Sequence, residues 1–170
     1  MLADIESLIR TGTRKPVWTS TETSKPLNLG RSQIETMIPH REPFLFVDGI
    51  TDVDPPNAKI RGVRTIHASD PVFEGHFPGQ PVYPGVLQLE TIGQLGLCLI
   101  HVLEGRPATS LRAVRIHHAA FLSEVGPGQL LEIVAARVQS DDFTAVCAGQ
   151  ILRDGIICAF GIMEVYFVER

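Results

Sequence analysis

The spacing of apolar positions divides the chain into three stretches. Two strand-like runs come first, over 44–51 and 59–66, the second alternating charged with apolar or small residues. A nearly continuous apolar run over 85–104 follows. It is too long for a strand and is closed by Gly105 and Pro107, both helix stop signals. Strand-like patterning then returns over 111–121, 129–139, 143–152 and 156–168. Asp141-Asp142 and Asp154-Gly155 fall between these runs as hairpin turns, the Asp-Gly pair being the stronger signal. The expected order is strand, strand, helix and four strands. Consecutive hairpins make the sheet antiparallel with the helix segregated, an α+β class.

Residues 1–26 read as an extension preceding a single domain over 27–170. The stretch 11–26 is rich in Thr, Ser, Lys and Pro, and its lone Trp18 is a candidate for pinning it to the surface. Ser32 and Glu35 have the spacing of a capping box, so a short helix is expected there, ending before Pro39. The segment 68–84 is crowded with Pro and Gly and reads as a loop leading into the long helix. That helix is apolar on most of its circumference, and one curved sheet covers only part of it. The remainder hints at a partner subunit.

Composition narrows the function classes. Of the 170 residues, 44% are hydrophobic and 20% charged, which is globular rather than disordered. A net charge of −4 argues against a nucleic-acid partner, which calls for clustered basic surface. Cys98, Cys147 and Cys158 have neither CxxC spacing nor an even count, and read as small buried hydrophobes in a reducing compartment. The first ten residues lack a basic stretch leading into an apolar run, so no secretory signal is expected. Gln88, Glu90, Gln94 and His101 interrupt the apolar helix, favouring a soluble core helix over a membrane span. A soluble, cytoplasmic protein is the simplest expectation.

The chemistry concentrates between Glu74 and Glu90. His76 lies in the Pro/Gly-rich loop, Pro84-Gly85 opens the helix, and Glu90 sits about one and a half turns into it. A histidine titrating near neutral pH is a candidate general base, though a loop histidine alone is more often structural. Glu90 reads equally as a helix-start charge facing water or as a carboxyl enclosed by Val86, Leu87, Leu89, Ile92 and Leu95, where desolvation favours the protonated acid. The unpaired amides near Gly85 and Val86 are candidate oxyanion donors. Base, acid and oxyanion donors together suit removal of a proton α to a thioester carbonyl while a β-hydroxyl departs as water.

Two blocks carry a family resemblance: IPHREPFLFVD over 38–48 and GHFPGQPVYPGVLQLE over 75–90. The sequence resembles the FabZ-type (3R)-hydroxyacyl-[acyl carrier protein] dehydratases of the hotdog fold, over roughly residue 27 to the end. The resemblance implies a long helix wrapped by a curved antiparallel sheet, and two chains paired as a double hotdog, often further assembled as a trimer of dimers. It implies His76 of one chain working with Glu90 of its partner in an apolar tunnel. Gly85 matches the amide that receives the thioester carbonyl, with Val86 beside it, and Phe77 and Gln94 join them as substrate-binding residues. A glutamate at position 90 matches the branch that dehydrates without isomerising. No metal or organic cofactor is implied. The substrate is an acyl thioester on acyl carrier protein, and coenzyme A would present the same reacting group.

The chain departs from the family pattern in two places. The acid is followed by Thr91-Ile92-Gly93-Gln94 where the family has Ala-Met-Ala-Gln. The segment 120–129 lacks the family's basic residues, leaving Arg112, Arg115 and Arg137 as candidates to meet an acidic carrier. These departures, with the extension, point to a pathway-specific relative. The competing functions are a hotdog acyl thioesterase and a non-catalytic partner subunit of a synthase complex. Among the remaining residues, Arg41 with Asp48 is a candidate ion pair. His117 and His118, adjacent on a strand, are expected to point to opposite faces as structural residues. Tyr83 is expected to pack and Glu74 to be solvated.

Overall fold

The computed structural model describes residues 5–106 and 110–168. Chain order is α1 (Ile5–Gly12), β1 (Lys25–Gly30), α2 (Arg31–Met37), β2 (Gly49–Asp54), β3 (Lys59–Thr65), a 3-10 turn (Pro71–Glu74), α3 (Gly85–Glu104), β4 (Leu111–Phe121), β5 (Leu130–Ser140), β6 (Thr144–Arg153) and β7 (Ile156–Phe167). Among the described residues the strands form one sheet in the order β1-β2-β3-β5-β6-β7-β4. Every pairing is antiparallel. The sheet curves around α3, the α+β arrangement expected from the sequence. The helix bounds match the apolar run, and Gly105 closes α3 in the left-handed conformation at φ 64°. Pro107, the second expected stop signal, lies outside the described residues.

Close approach between helix and sheet depends on two glycines. Gly149 and Gly161 are register partners on β6 and β7. A Cβ on Gly149 would stand 2.4 Å from Ile92 Cγ2, and one on Gly161 would stand 2.4 Å from Leu89 Cδ1. Their missing side chains make the dent into which α3 settles, so Ile92, Leu95 and Leu99 are buried against Ile133, Ala135 and Ile151. The Asp154-Gly155 turn has both residues at positive φ, 51° and 79°, the conformation a two-residue hairpin requires.

Four expectations are corrected. Residues 44–48 are not strand; β2 begins at Gly49. Their backbone is engaged instead by a helix side chain: Phe46 N donates to Gln94 Oε1 at 2.8 Å, and Gln94 Nε2 donates to Phe44 O at 2.9 Å. The N-cap of helix α2 is Gly30 rather than Ser32, and the Gln33 side chain accepts from Gly30 N at 3.0 Å. Arg41 does not pair with Asp48. It donates to the carbonyls of Glu35, Ile38 and His40 and so closes the end of α2, while Asp48 accepts from Arg31, Arg64 and Thr65 N. Finally, β4 bulges between Ile116 and His118. Both histidines consequently meet one face of β7, His117 bonding Glu164 at 2.9 Å and His118 lying 5.6 Å from the Phe160 ring.

Residues 5–18, ahead of β1, lie against the outer face of the sheet. Ile5, Leu8 and Ile9 pack on Val146, Ala148, Phe160 and Ile162. Buried Gln150 on β6 fastens the following turn, donating to Gly12 O and Lys15 O and accepting from Val17 N. Trp18 is buried beside Val134 and Leu152, with the Arg61 guanidinium 5.1 Å from its ring. The expected boundary at residue 26 falls inside β1, which begins at Lys25.

Candidate active site

His76 follows the Pro71–Glu74 turn and is anchored twice to one residue. Its Nδ1 lies 2.8 Å from Val82 O, and Val82 N donates to His76 O at 3.0 Å. A carbonyl can only accept, so Nδ1 carries a proton, and in the neutral ring it is Nε2 that keeps a free lone pair. The Phe77 ring stacks on the imidazole with centroids 4.0 Å apart. Phe77 is itself exposed, as is Glu74. Tyr83 packs as expected: it is fully buried 6.3 Å from the Phe73 ring, and burial pushes its hydroxyl up to about 12.

The helix start supplies donors beside this imidazole. Pro84 has no N–H and fixes the N-cap backbone, and its carbonyl accepts from Leu87 N at 3.1 Å and Gln88 N at 3.2 Å. The amides of Gly85 and Val86 therefore precede the first helical bond and face outward. His76, Gly85 and Val86 line one cavity of about 390 Å³, with Phe121 and Leu122 also in its wall. A Cβ on Gly85 would stand 2.7 Å from the Phe121 ring, so only glycine fits beneath it.

Glu90 opens elsewhere. Glu90 is half-buried, as are Gly93 and Leu97 further along α3, while Val86, one turn before Glu90, is exposed. The Glu90 side chain is 35% exposed, so the apolar neighbours that were expected to enclose it do not do so within one chain. Gln94 Nε2 donates to Glu90 Oε1 at 2.9 Å. Gln94 was expected to contact substrate, but it is buried and both ends of its amide already hold chain partners at Phe44, Phe46 and Glu90. Glu90 and Gly93 line a second cavity, of about 290 Å³, with Leu97, Ile100, Met163 and Val165 making an apolar wall. Gly93 fits close to Met163, whose Cε a Cβ there would meet at 3.4 Å. The two cavities share no lining residue.

The pattern reading missed His40, whose Nε2 lies 3.4 Å from Glu90 Oε1. The 38–48 block held the signal, but nothing in its spacing shows that the segment reaches back to the helix. The three cysteines are buried and unpaired, as expected, and desolvation pushes the Cys98 and Cys147 thiols up to about 12.

Residues 38–160 match the FabA-like domain family. The chain is 35% identical over 150 residues to the 3-hydroxyacyl-[acyl-carrier-protein] dehydratase FabZ of Sorangium cellulosum, covering 87% of this chain and 96% of that protein. It is 34% identical over 145 residues to the FabZ of Aliarcobacter butzleri, covering 81% and 97%. Among solved structures, the dehydratase heterocomplex ApeI:P from Xenorhabdus doucetiae is similar in fold, with a TM-score of 0.63 at 17% identity over 81% of this chain and 91% of that one. The fold extends to a phenylacetic acid degradation-related protein of Ralstonia eutropha, with a TM-score of 0.55 at 16% identity over 69% and 82%.

Proposed function

The chain belongs to the FabZ-type dehydratases of the FabA-like domain family, and we propose that His76 and Glu90 carry its dehydration of a (3R)-hydroxyacyl thioester on acyl carrier protein. The thioester carbonyl seats on the Gly85 and Val86 amides, which stabilise negative charge as it develops on that oxygen. His76 Nε2 removes the α-proton. As the α-carbon forms its double bond to the β-carbon, the C–O bond breaks and the hydroxyl takes a proton from Glu90 to leave as water. The product is the trans-2-enoyl thioester. The histidine proton returns to the carboxylate through solvent before the next turnover.

One observation carries this reading: the Val82 carbonyl fixes the His76 tautomer with Nε2 free, in the same cavity as the Gly85 and Val86 amides. The free Nε2 is the base that α-proton removal requires, and the relatives matched over most of the chain are dehydratases. The Glu90 groove, apolar along Leu97, Ile100, Met163 and Val165, takes the acyl chain.

The second half of the proposal is a homodimer. His76 and Glu90 line separate cavities of one chain, and a second copy brings the His76 cavity of one to the Glu90 groove of the other. The surface for this pairing is apolar and continuous with the site. Val86 is 67% exposed, and Val114, Ile116 and Phe121 are exposed on β4, an edge strand with one unpaired side among the described residues. Three unpaired buried cysteines agree with a cytoplasmic setting.

The test is purified protein with a (3R)-hydroxyacyl carrier-protein thioester, the acyl mass being followed with time. Loss of one water that disappears in both His76→Ala and Glu90→Gln is expected. No mass change from either the hydroxyacyl or the enoyl side, across several carriers, would overturn the assignment.

A further inference from the structure

We propose that His40 is a positioning residue that selects which oxygen of Glu90 delivers the proton, an inference that rests on Glu90 being the acid. The 38–48 segment passes across α3 at one level of the helix. Gln94 holds it there by bonding Phe46 N and Phe44 O, and the same Gln94 Nε2 donates to Glu90 Oε1 at 2.9 Å. The His40 ring lies roughly parallel to that of Phe44, with centroids 6.5 Å apart. Arg41, the next residue, is turned away to the carbonyls that end α2. His40 is thereby aimed into the groove, where its Nε2 stands 3.4 Å from Glu90 Oε1. That is long for a hydrogen bond, as contacts in an unliganded site commonly are.

The hydrogen-bond inventory then decides the roles. A protonated carboxyl has one hydroxyl oxygen that donates and one carbonyl oxygen that accepts twice. Gln94 can only donate through Nε2, so Oε1 accepts from it. With His40 in the tautomer that protonates Nε2, the second lone pair of Oε1 is filled as well. The proton of Glu90 is left on Oε2. His40 Nδ1 is buried without a hydrogen-bond partner among the described residues, and Nε2 is the ring nitrogen that faces Glu90. His40 acts through Glu90 by donating a hydrogen bond and does not touch the reacting atoms. An uncharged donor of similar reach can therefore replace it.

His40→Ala, His40→Gln and His40→Asn are compared with the parent in the dehydration assay, with thermal melting beside each. Glutamine reaches the Nε2 position with a donor, and asparagine does not. Loss of one donor to the acid lowers kcat by about tenfold to a hundredfold in the alanine and asparagine variants. KM stays within about twofold, because the contact strengthens in the transition state rather than on binding. Glutamine restores most of the rate. Parent-like kcat in His40→Ala would overturn the proposal, as would a His40→Gln enzyme no faster than His40→Asn when both melt normally. The glutamine–asparagine comparison keeps the test decisive if the alanine variant fails to fold. Glu90→Gln, assayed alone, separates the two readings: full activity there would overturn the role of Glu90 and that of His40 together, while inactivity leaves the His40 comparison to stand by itself.

Discussion

His76 Nδ1 faces the carbonyl of Val82 at 2.8 Å, and the loop closes on itself through the reciprocal bond from Val82 N to His76 O. The pair fixes ring orientation with backbone atoms alone, so the proposed base is held in place before substrate arrives. His76→Ala is therefore expected to lower kcat by about a hundredfold to ten-thousandfold, the range for losing a general base. The imidazole is half-buried at the edge of a loop, so the melting temperature should hardly move. Steady-state kinetics with a melting curve checks both halves, and a stable, fully active variant would contradict the role.

Gly85 lies beneath the Phe121 ring. In Gly85→Ala the added methyl must push that ring out of its place, since it would stand 2.7 Å from Phe121 Cδ1. The cavity wall shifts and the thioester carbonyl no longer seats on the helix-start amides. Misplacement of this kind is expected to lower kcat/KM by about a hundredfold. A parent-like kcat/KM in the alanine variant would show that the carbonyl sits elsewhere.

The outer-face segment depends on Gln150, which is fully buried and satisfies three backbone groups at Gly12, Lys15 and Val17. Gln150→Ala leaves them without that partner, at a cost of about 1–3 kcal/mol in unfolding free energy. Urea unfolding measures it. An unchanged midpoint would mean that the segment contributes little to stability.

Asp54 ties the same segment to the β2–β3 turn. Burial opposes its charge, but hydrogen bonds from Thr21, Asn57 and Thr23 prevail and hold the carboxyl well below the usual carboxylate range. A folded-state value below the unfolded one stabilises the fold above the unfolded value of about 3.9, and the gain is lost as pH falls through and beneath it. Parent and Asp54→Asn should accordingly differ most near neutral pH and converge in acid. Urea unfolding across that range tests this, and a gap that widens toward acid would reverse the sign of the account.

Local pattern revealed the frame. The apolar run over 85–104 became α3 at those bounds, because Pro84-Gly85 and Gly105 are chain-local signals. The Asp-Gly hairpin and the four later strands were legible for the same reason. Segments whose partners are remote in sequence were not. Residues 44–48 carry a strand-like pattern, yet Gln94 on the helix takes the bonds that a neighbouring strand would have taken. Edge strand β1 contains Pro26, which weakens its strand signal. The bulge in β4 inserts an extra residue, a change of parity that alternation cannot show.

The candidate site was legible in part. His76, Gly85 and Glu90 stand in one segment, but their placement in two separate cavities depends on how the chain wraps α3. Spacing could not reveal that Glu90 is only half-buried, nor that His40 approaches it from a segment fifty residues away.

In the proposed dimer one site takes His76 from one chain and Glu90 from another. Subunit mixing tests it most directly. Differently tagged His76→Ala and Glu90→Gln chains are co-expressed, and the doubly tagged species is isolated and assayed. Each variant alone should be nearly inactive, while the mixed dimer contains one intact site and should recover about half of the parent rate per dimer. A mixed dimer as inactive as either variant alone would contradict pairing of His76 and Glu90 across two chains.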